Sequence, residues 1–251
     1  MFKQALQQAA NDYGLVLSEQ QLGQFTKYYE LLVEWNQKIN LTAITEPGEA
    51  AVKHMIDSLS AWNPELFAED ASLVDVGTGA GFPGIPLRIM HPGLRLTLLD
   101  SLNKRVRYLQ TVVDALGLTG VRCVHARAEE AARQKEYREQ FDIAVSRAVA
   151  RLPVLAEYCL PFVKKGGVFA ALKGMQYEQE VAEAKPALGM LGGRLQQVQP
   201  VRLPGLDDVR AVIYVKKTAA TAAAYPRKAG TPEKNPLGVP AKKEIGTPKQ
   251  K

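Results

Sequence analysis

Residues 73–84 read LVDVGTGAGFPG, and this stretch decides how the rest of the chain is interpreted. A short apolar run, interrupted only by Asp75, leads directly into glycines at positions 77, 79, 81 and 84. Such a run predicts a strand, a Gly-rich turn and then a helix. Glycines let the backbone approach a ligand where a Cβ atom would clash, and the N-terminus of the next helix offers free N–H groups. The stretch therefore predicts a nucleotide site, with a tight strand–helix connection as the alternative.

Two kinds of nucleotide site use a loop of this type. Residues 79–84 fit the dinucleotide pattern G-x-G-x-x-G, whereas residues 75–81 fit the D-x-G-x-G-x-G loop of class I S-adenosylmethionine methyltransferases. Asp75 lies where a carboxylate can hold either the amino group of an amino-acid-bearing ligand or the backbone amides of the loop itself. The loop alone does not choose between the two cofactors.

A second acidic residue, Asp100, ends the next predicted strand, residues 94–99, roughly 20 residues beyond the loop. A carboxylate at this place can accept hydrogen bonds from both ribose hydroxyls of either cofactor. The alternative is that Asp100 only caps the helix predicted to begin at Ser101.

Strands and helices alternate from residue 72 to residue 217, which predicts a parallel sheet covered by helices. The predicted strands are residues 73–76, 94–99, 121–125, 141–146, 168–172, 194–202 and 209–215. The predicted helices among them are residues 86–90, 101–116, 128–134, 152–163 and 177–191, the last kinked or shortened by Pro186. The final two strands are too close for a crossover helix, so they must run antiparallel. A seven-stranded, Rossmann-like mixed α/β sheet with an antiparallel terminal hairpin is the class I methyltransferase layout, whereas a dehydrogenase half would continue with another crossover helix.

Residues 1–60 are predicted to be a helical extension of this sheet. Helices are expected over residues 2–13, after a capping box at residues 18–21, and over residues 47–60. Polar residues interrupt the apolar stripes of these helices. We expect four of them to lie beside the cofactor cleft, or else only to tie the extension to the core: Asn36, Asn40, His54 and Asp57.

The net charge of the 251 residues is +6, and the charge is concentrated at the C-terminal end. From Lys216 onward there are nine Lys/Arg and two Asp/Glu. The preceding residues contain 23 Lys/Arg and 24 Asp/Glu. Residues 218–251 are rich in Ala, Thr, Pro, Gly and Lys, which predicts a basic, disordered or loosely docked tail after a methyltransferase domain at residues 61–217. A basic tail favours an RNA partner over a metabolite, although a charge run is often only a solvated segment.

The remaining composition predicts a cytoplasmic protein without metal or membrane. The first residues lack the apolar core of a secretory signal, and no apolar run approaches the roughly 20 residues of a membrane span. Cys123 and Cys159 show no CxxC spacing and suit reduced, buried thiols. The three histidines form no metal-ligand pattern.

The sequence lacks the motifs of several reaction types, which leaves fewer candidate reactions. No tyrosine has a lysine four residues on, so the short-chain dehydrogenase pair is missing. The fourth predicted strand ends in Ser146 and Arg147 instead of the Asn/Asp-Pro-Pro-aromatic loop of exocyclic amine methyltransferases, and Cys159 lies inside a helix, away from the strand ends. What remains is methyl transfer to an acceptor atom that is already nucleophilic at neutral pH, such as guanine N7. Arg147 could hold the cofactor carboxylate or donate to a guanine edge, or it could form a structural ion pair.

Several segments in combination resemble the ribosomal RNA small-subunit methyltransferase G family, also called glucose-inhibited division protein B. The resemblance covers residues from about 20 to 238. The matching segments are WNQKINLT (35–42), HMIDSL (54–59), VDVGTGAGFPG (74–84), LDSLNKR (99–105), RAE (127–129), SRAVA (146–150), LKG (172–174) and YPRKAGTP (225–232).

The resemblance implies an enzyme that uses S-adenosylmethionine to methylate N7 of a guanine in 16S ribosomal RNA of the small subunit. It implies a set of cofactor contacts, of which Arg147 is also the catalytic candidate: Gly77, Gly79, Phe82, Asp100, Ser101, Leu102, Ala128, Glu129 and Arg147. Two other functions stay open on the residues alone. One is a nicotinamide-dependent oxidoreductase or regulatory module that uses the same loop, and the other is a small-molecule methyltransferase.

Overall fold

A computed structural model describes residues 1–147 and 149–239, and its centre is one mixed sheet of seven strands in the order β3-β2-β1-β4-β5-β7-β6. β7 runs antiparallel to both β5 and β6, and the other pairs are parallel. The strands are β1 Ser72–Val76, β2 Arg95–Asp100, β3 Val121–His125, β4 Phe141–Arg147, β5 Val163–Lys173, β6 Gly193–Arg202 and β7 Val209–Lys217. The predicted sheet with an antiparallel terminal hairpin is confirmed.

The helices lie on both faces of the sheet. They are α1 Phe2–Tyr13, α2 Glu19–Asn36, α3 Pro47–Ala50, α4 Asp57–Leu59, α5 Gly84–Met90, α6 Asn103–Ala115, α7 Ala128–Ala131, α8 Leu152–Cys159, α9 Tyr177–Met190 and α10 Thr231–Lys234. The capping box predicted before α2 is present, because Ser18 and Gln21 exchange both hydrogen bonds. α9 continues through Pro186 to Met190, so the helix is not shortened there; proline removes only one of its backbone hydrogen bonds.

The third predicted helix differs from a regular α-helix. A π-helical segment, Ala51–Ile56, lies between α3 and α4. Such wide turns are frequent at functional sites because they change the direction in which side chains point. Here the segment contains His54, which the sequence singles out as a candidate for the cleft.

The N-terminal helices share a hydrophobic core with one face of the sheet. Leu22, Phe25 and Tyr28 of α2 are fully buried in the same cluster as Leu73 and Leu98 of β1 and β2. The opposite face is covered by α8 and α9 in a second cluster. A boundary between an extension and a catalytic domain at residue 60 stays a prediction.

Residues 218–239, called here the C-terminal strap, are packed along the outside of the domain. The Arg138 guanidinium donates to the carbonyls of Thr221, Ala222 and Tyr225, and the side chain of Leu237 is buried. Of the two alternatives predicted for the tail, disordered or loosely docked, these contacts agree with the docked one for this part. The sequence pattern suggested disorder because the strap has few apolar residues, but arginines of the domain hold its main-chain carbonyls instead. Residues 240–251 lie outside the described residues.

Candidate active site

A cleft opens where the strand order reverses, between the C-terminal ends of β1 and β4, which is the usual ligand position in open α/β sheets. It consists of two cavities that share Gly77, Asp100, Ser101 and Val149. The smaller, of about 140 Å³, extends past the ends of β2 and β3 to Gly230 of the strap and is called the strap-side cavity. The larger, of about 390 Å³, extends below the N-terminal segments and is called the roof-side cavity.

The Asp75 carboxylate is fully buried beneath the Gly-rich loop and forms hydrogen bonds with it. Its Oδ2 accepts hydrogen bonds from the Thr78 hydroxyl at 2.6 Å and from the Gly84 N–H at 2.8 Å. Burial raises the pKa of this carboxyl to about 7, against the lowering effect of the two hydrogen bonds. Of the two roles suggested by the sequence, Asp75 takes the one that binds the backbone of the loop.

The loop glycines bring bare backbone to the cleft. Gly77 has φ +69°, and a Cβ atom there would come within 2.7 Å of the Val149 side chain. Gly79 has φ +60° and has nothing within 4 Å of the position of a Cβ atom, so its α-carbon faces open space. A ligand can therefore lie directly against the backbone at Gly79, whereas at Gly77, which lines both cavities, the Val149 side chain occupies the place of a Cβ atom.

The Asp100 carboxylate lies at the centre of the cleft and lines both cavities. Its Oδ2 accepts the Gly79 N–H, and its Oδ1 accepts the Leu102 N–H. α6 begins only at Asn103 and its N-cap residue is Leu102, so the alternative role of Asp100 as an N-cap is wrong. Each carboxylate oxygen has two lone pairs, and one backbone N–H on each leaves capacity for ligand hydroxyls.

The strap-side cavity contains residues that the sequence predicted and others that it did not. Ala128 and Glu129, after β3, line it as expected. Tyr158 of α8 and Gly230 and Glu233 of the strap also line it, and of these only Gly230 lies in a segment that the sequence analysis singled out, residues 225–232. Gly230 donates its N–H to Oε1 of Glu129 at 3.0 Å, so the strap fixes this side chain.

Eight of the nine predicted site residues line the cleft. Leu102 does not: it is 42% exposed, and its hydrogen bond to the site is the one that its N–H donates to Asp100. Ser101 lines both cavities, and Phe82 lines the roof-side cavity. The binding roles of all nine residues stay predictions.

Arg147 joins the end of β4 to the N-terminal segments. Its Nη1 donates to Oδ2 of Asp57 at 2.8 Å and to the Lys53 carbonyl at 3.1 Å, and its guanidinium lies 4.8 Å from the centre of the Phe82 ring. Asp57 is also approached by Arg210 from β7, at 3.4 Å. The structural ion pair suggested by the sequence is thus present. Arg147 nevertheless lines the roof-side cavity, so an additional contact with a ligand remains open to it.

The four polar residues expected beside the cleft divide into two groups. His54 lines the roof-side cavity, stacked on Phe82 with ring centres 4.6 Å apart, and Asp57 lines an adjoining cavity next to Arg147. Asn36 is not part of either wall. Its Oδ1 accepts the N–H groups of Leu41 and Thr42, and Asn40 lines a shallow recess beside the same segment.

The adjoining cavity, also of about 390 Å³, is open beside Arg147 and is called the acceptor-side cavity. It combines charges of both signs from three strand ends, the π segment and the start of α4: Lys53, Asp57, Arg147, Lys173, Asp208 and Arg210. Such a set offers hydrogen-bond donors and acceptors to a polar ring. His54 and Arg147 belong to both this cavity and the roof-side cavity, so the two are direct neighbours.

The part of the chain that the structure describes contains no cluster of three or more candidate metal ligands. Cys159 is buried and Cys123 is half-buried, and both are free thiols. None of the described helices is long and apolar enough to cross a membrane.

The described cleft fits S-adenosylmethionine. The Asp100 carboxylate can accept hydrogen bonds from the hydroxyls of a ribose, the groups after β3 offer a surface to an adenine, and the backbone at Gly77 and Gly79 leaves room for the part between them. The cleft has two arms that meet at Asp100, as a ligand with a nucleoside at one end and an amino acid at the other requires.

Comparisons with known proteins identify the family of the chain. Residues 21–205 match the family model described as rRNA small subunit methyltransferase G. The chain is 49% identical over 232 residues to ribosomal RNA small subunit methyltransferase G of Desulforamulus reducens, covering 92% of this chain and 97% of that protein. It is 52% identical over 224 residues to the protein of the same name from Exiguobacterium sp., covering 89% and 94%.

Solved structures support the fold. A variant of the 16S rRNA (adenine(1408)-N(1))-methyltransferase of Catenulisporales acidiphilia aligns with a TM-score of 0.51 and 16% identity, covering 60% of this chain and 86% of that one. M. jannaschii TYW2 in complex with AdoMet aligns with a TM-score of 0.50 and 17% identity, covering 64% and 74%. The oxidoreductase alternative finds no support in these relatives.

Proposed function

The chain belongs to the ribosomal RNA small subunit methyltransferase G family, and on that premise we propose that its cleft transfers a methyl group from S-adenosylmethionine to N7 of a guanine in 16S ribosomal RNA. The observation that carries this proposal is the two-armed cleft around Asp100, next to the bare backbone of Gly77 and Gly79.

In this proposal the strap-side cavity binds the adenosine part of the cofactor. Asp100 accepts the ribose hydroxyls, and Ala128 and Glu129 flank the adenine. The roof-side cavity then takes the amino-acid end. These roles follow from the positions of the side chains along the cleft and from the charge of Asp100, which matches a sugar with two donor groups.

The bound cofactor supplies an electrophilic methyl group on a positively charged sulfur. Guanine N7 has an in-plane lone pair that is nucleophilic at neutral pH, so the protein needs no general base for this acceptor. The task of the chain is to orient the two reactants and to keep water away from them. Phe82, which packs against both the His54 ring and the Arg147 guanidinium, forms an apolar wall for that purpose.

We assign the guanine to the acceptor-side cavity. Its carboxylates and cations can pair with the N–H groups and the O6 atom of this base. Nε of Arg147 has no hydrogen-bond partner within residues 1–147 and 149–239, which leaves that N–H able to donate to the ligand while Nη1 holds Asp57. Arg147 is the catalytic candidate for this reason. The setting in which this reaction occurs is then the cytoplasm, where small ribosomal subunits are found.

The test is transfer of labelled methyl from S-adenosylmethionine to small ribosomal subunits and to naked 16S RNA, followed by identification of the modified nucleoside. We expect N7-methylguanosine in at least one of the two substrates. Label at another base atom would overturn the assignment of N7, and the absence of label in both RNAs, with a protein that binds the cofactor, would overturn the RNA substrate.

A further inference from the structure

Thr42 forms part of the roof-side cavity, although it lies far from the Gly-rich loop in sequence. Its Oγ1 accepts the N–H of Ile44 at 3.0 Å, which fixes the side chain in a tight local turn. Asn36 holds the Thr42 backbone N–H from the end of α2 at 3.0 Å. The position of this hydroxyl is therefore set by the protein before any ligand binds.

The second partner of the Thr42 hydroxyl is His54, at 2.9 Å from Oγ1 to Nε2. The other ring nitrogen, Nδ1, lies 3.4 Å from Nη2 of Arg147. An arginine can only donate, so Nδ1 is the acceptor and Nε2 carries the ring proton. Burial, and after it the Arg147 charge, lower the pKa of His54 to about 4. The ring is thus neutral at pH 7 and donates to Thr42.

This arrangement determines what the Thr42 hydroxyl can do. A hydroxyl has two lone pairs and one proton, and here Ile44 and His54 occupy both lone pairs. The proton must go to a third partner. The described part of the chain offers no acceptor for it, and the side chain lines the roof-side cavity. The hydroxyl is therefore an oriented hydrogen-bond donor that can donate to an acceptor atom of a ligand in the cleft.

We propose that Thr42 is a cofactor-binding residue whose hydroxyl donates to the carboxylate at the amino-acid end of S-adenosylmethionine, with His54 as the positioning residue that sets the direction of the proton. The proposal rests on the function proposed above. It favours the carboxylate because this cavity lies across Asp100 from the residues that flank the adenine and is lined by Arg105 and Arg147. These two arginines form ion pairs with Asp100 and Asp57, but the Nε atom of Arg105 has no hydrogen-bond partner among the described residues. A carboxylate can accept both from the Thr42 hydroxyl and from such a guanidinium N–H.

The experiment compares two ligands by calorimetry. S-adenosylhomocysteine contains the carboxylate, whereas 5′-methylthioadenosine keeps the adenosine and the sulfur but lacks the amino-acid end. Thr42→Val removes the donor and keeps the shape of the side chain, and Thr42→Ser keeps the donor. Thr111→Val, on α6, is the matched control, because its hydroxyl donates only to its own helix at the Arg107 carbonyl.

We expect Thr42→Val to weaken S-adenosylhomocysteine binding by about tenfold or more, the loss of a hydrogen bond to a charged group. Thr42→Ser and Thr111→Val should bind within about twofold of the wild type, and 5′-methylthioadenosine should bind all four proteins equally. Unchanged S-adenosylhomocysteine affinity in Thr42→Val overturns the proposal, as does an equal loss for both ligands, which means a structural role. Failure of the wild type to bind S-adenosylhomocysteine at all would instead overturn the proposed function.

Discussion

Asp100 accepts the backbone N–H of Gly79 at 2.9 Å, which ties the end of β2 to the turn that follows β1. The other carboxylate oxygen accepts the Leu102 N–H at 2.8 Å. One buried side chain thus fixes two loops of the cleft and still faces both cavities. A ligand that binds Asp100 meets a site whose backbone is already in place, and the cost of ordering these loops is removed from the binding step.

Replacement of Asp100 tests its role toward the ribose. Asp100→Ala should weaken S-adenosylhomocysteine binding by at least about tenfold, because a hydrogen bond to a charged group contributes about 1.5–3 kcal/mol. Asp100→Asn keeps one acceptor oxygen and should lie between the alanine variant and the wild type. Calorimetric titration measures both. Wild-type affinity in the alanine variant, or tight binding of NAD by the wild type, would contradict the assignment.

The ion pair between Arg147 and Asp57 allows the structural role of Arg147 to be separated from its catalytic role. Arg147→Ala leaves a buried carboxylate with only the more distant Arg210, and should reduce the free energy of unfolding by about 3 kcal/mol. Adding Asp57→Asn removes the unpaired buried charge and should recover most of the lost free energy of unfolding. Methyl transfer should stay low in the double variant if Arg147 contacts the ligand. Recovery of transfer together with the melting temperature would show a structural role alone.

The buried carboxyl of Asp75 predicts a pH-dependent stability. Its pKa is about 7 in the folded protein and 3.8 in the unfolded reference, so the folded state binds more protons between these values. The contribution of Asp75 to stability is therefore full below pH 3.8 and is lost as the pH rises to 7. Asp75→Asn has no such titration. The difference in unfolding free energy between variant and wild type should shift in favour of the variant by up to about 4 kcal/mol from about pH 4 to about pH 7. A pH-independent difference in denaturant titrations would show that the carboxyl titrates normally.

The strap depends on the pair formed by Arg227 and the fully buried Glu157 of α8. The Arg227 side chain donates to both carboxylate oxygens, and its backbone N–H donates as well. Arg227→Ala leaves the carboxylate buried and without its cation, and should cost about 3–5 kcal/mol of stability. The neighbouring Lys228 is exposed, so Lys228→Ala is the matched control and should change the melting temperature little. Equal melting temperatures for the two variants would contradict a stabilising role for the pair.

The last lysines, at positions 242, 243, 249 and 251, lie outside the described residues and are predicted to contribute RNA affinity without sequence preference. A chain that ends at Val239 keeps the strap and removes these charges. Its RNA affinity should fall at low salt, and the slope of log K against log salt should decrease by roughly 0.7–0.9 for each phosphate that is no longer neutralised. Cofactor affinity, measured in parallel, should not change. An identical salt slope for both chains would assign the late lysines no role in RNA binding.

Much of the fold could be predicted because the local signals agree with the final structure. The Gly-rich loop, the seven strands and the antiparallel hairpin follow from hydrophobic patterns and connection lengths. The region around residues 47–60 is predicted as a plain helix, because a π segment such as Ala51–Ile56 has no sequence signature of its own.

The candidate site was predictable where a motif follows a strand, as at Asp100 and Glu129. Tyr158, Gly230 and Glu233 could not be found in this way, because they reach the cleft through tertiary packing of α8 and the strap. The one available signal was the matching segment at residues 225–232, which the composition of the tail outweighed. Thr42 was part of another matching segment, and its role depends on a tautomer that only the geometry determines.

The strap has a consequence for the order in which the site is made. Gly230 and Glu233 line the strap-side cavity, and Gly230 holds Glu129, which the ribosome has added to the chain about 100 residues earlier. During translation the sheet, the Gly-rich loop and Asp100 are all synthesised while one wall of the cleft is still missing. A chain that stops before position 230 would contain every strand of the sheet but lack the wall that the strap adds to the strap-side cavity. Among the described residues, this wall is the last part of the cleft to be synthesised.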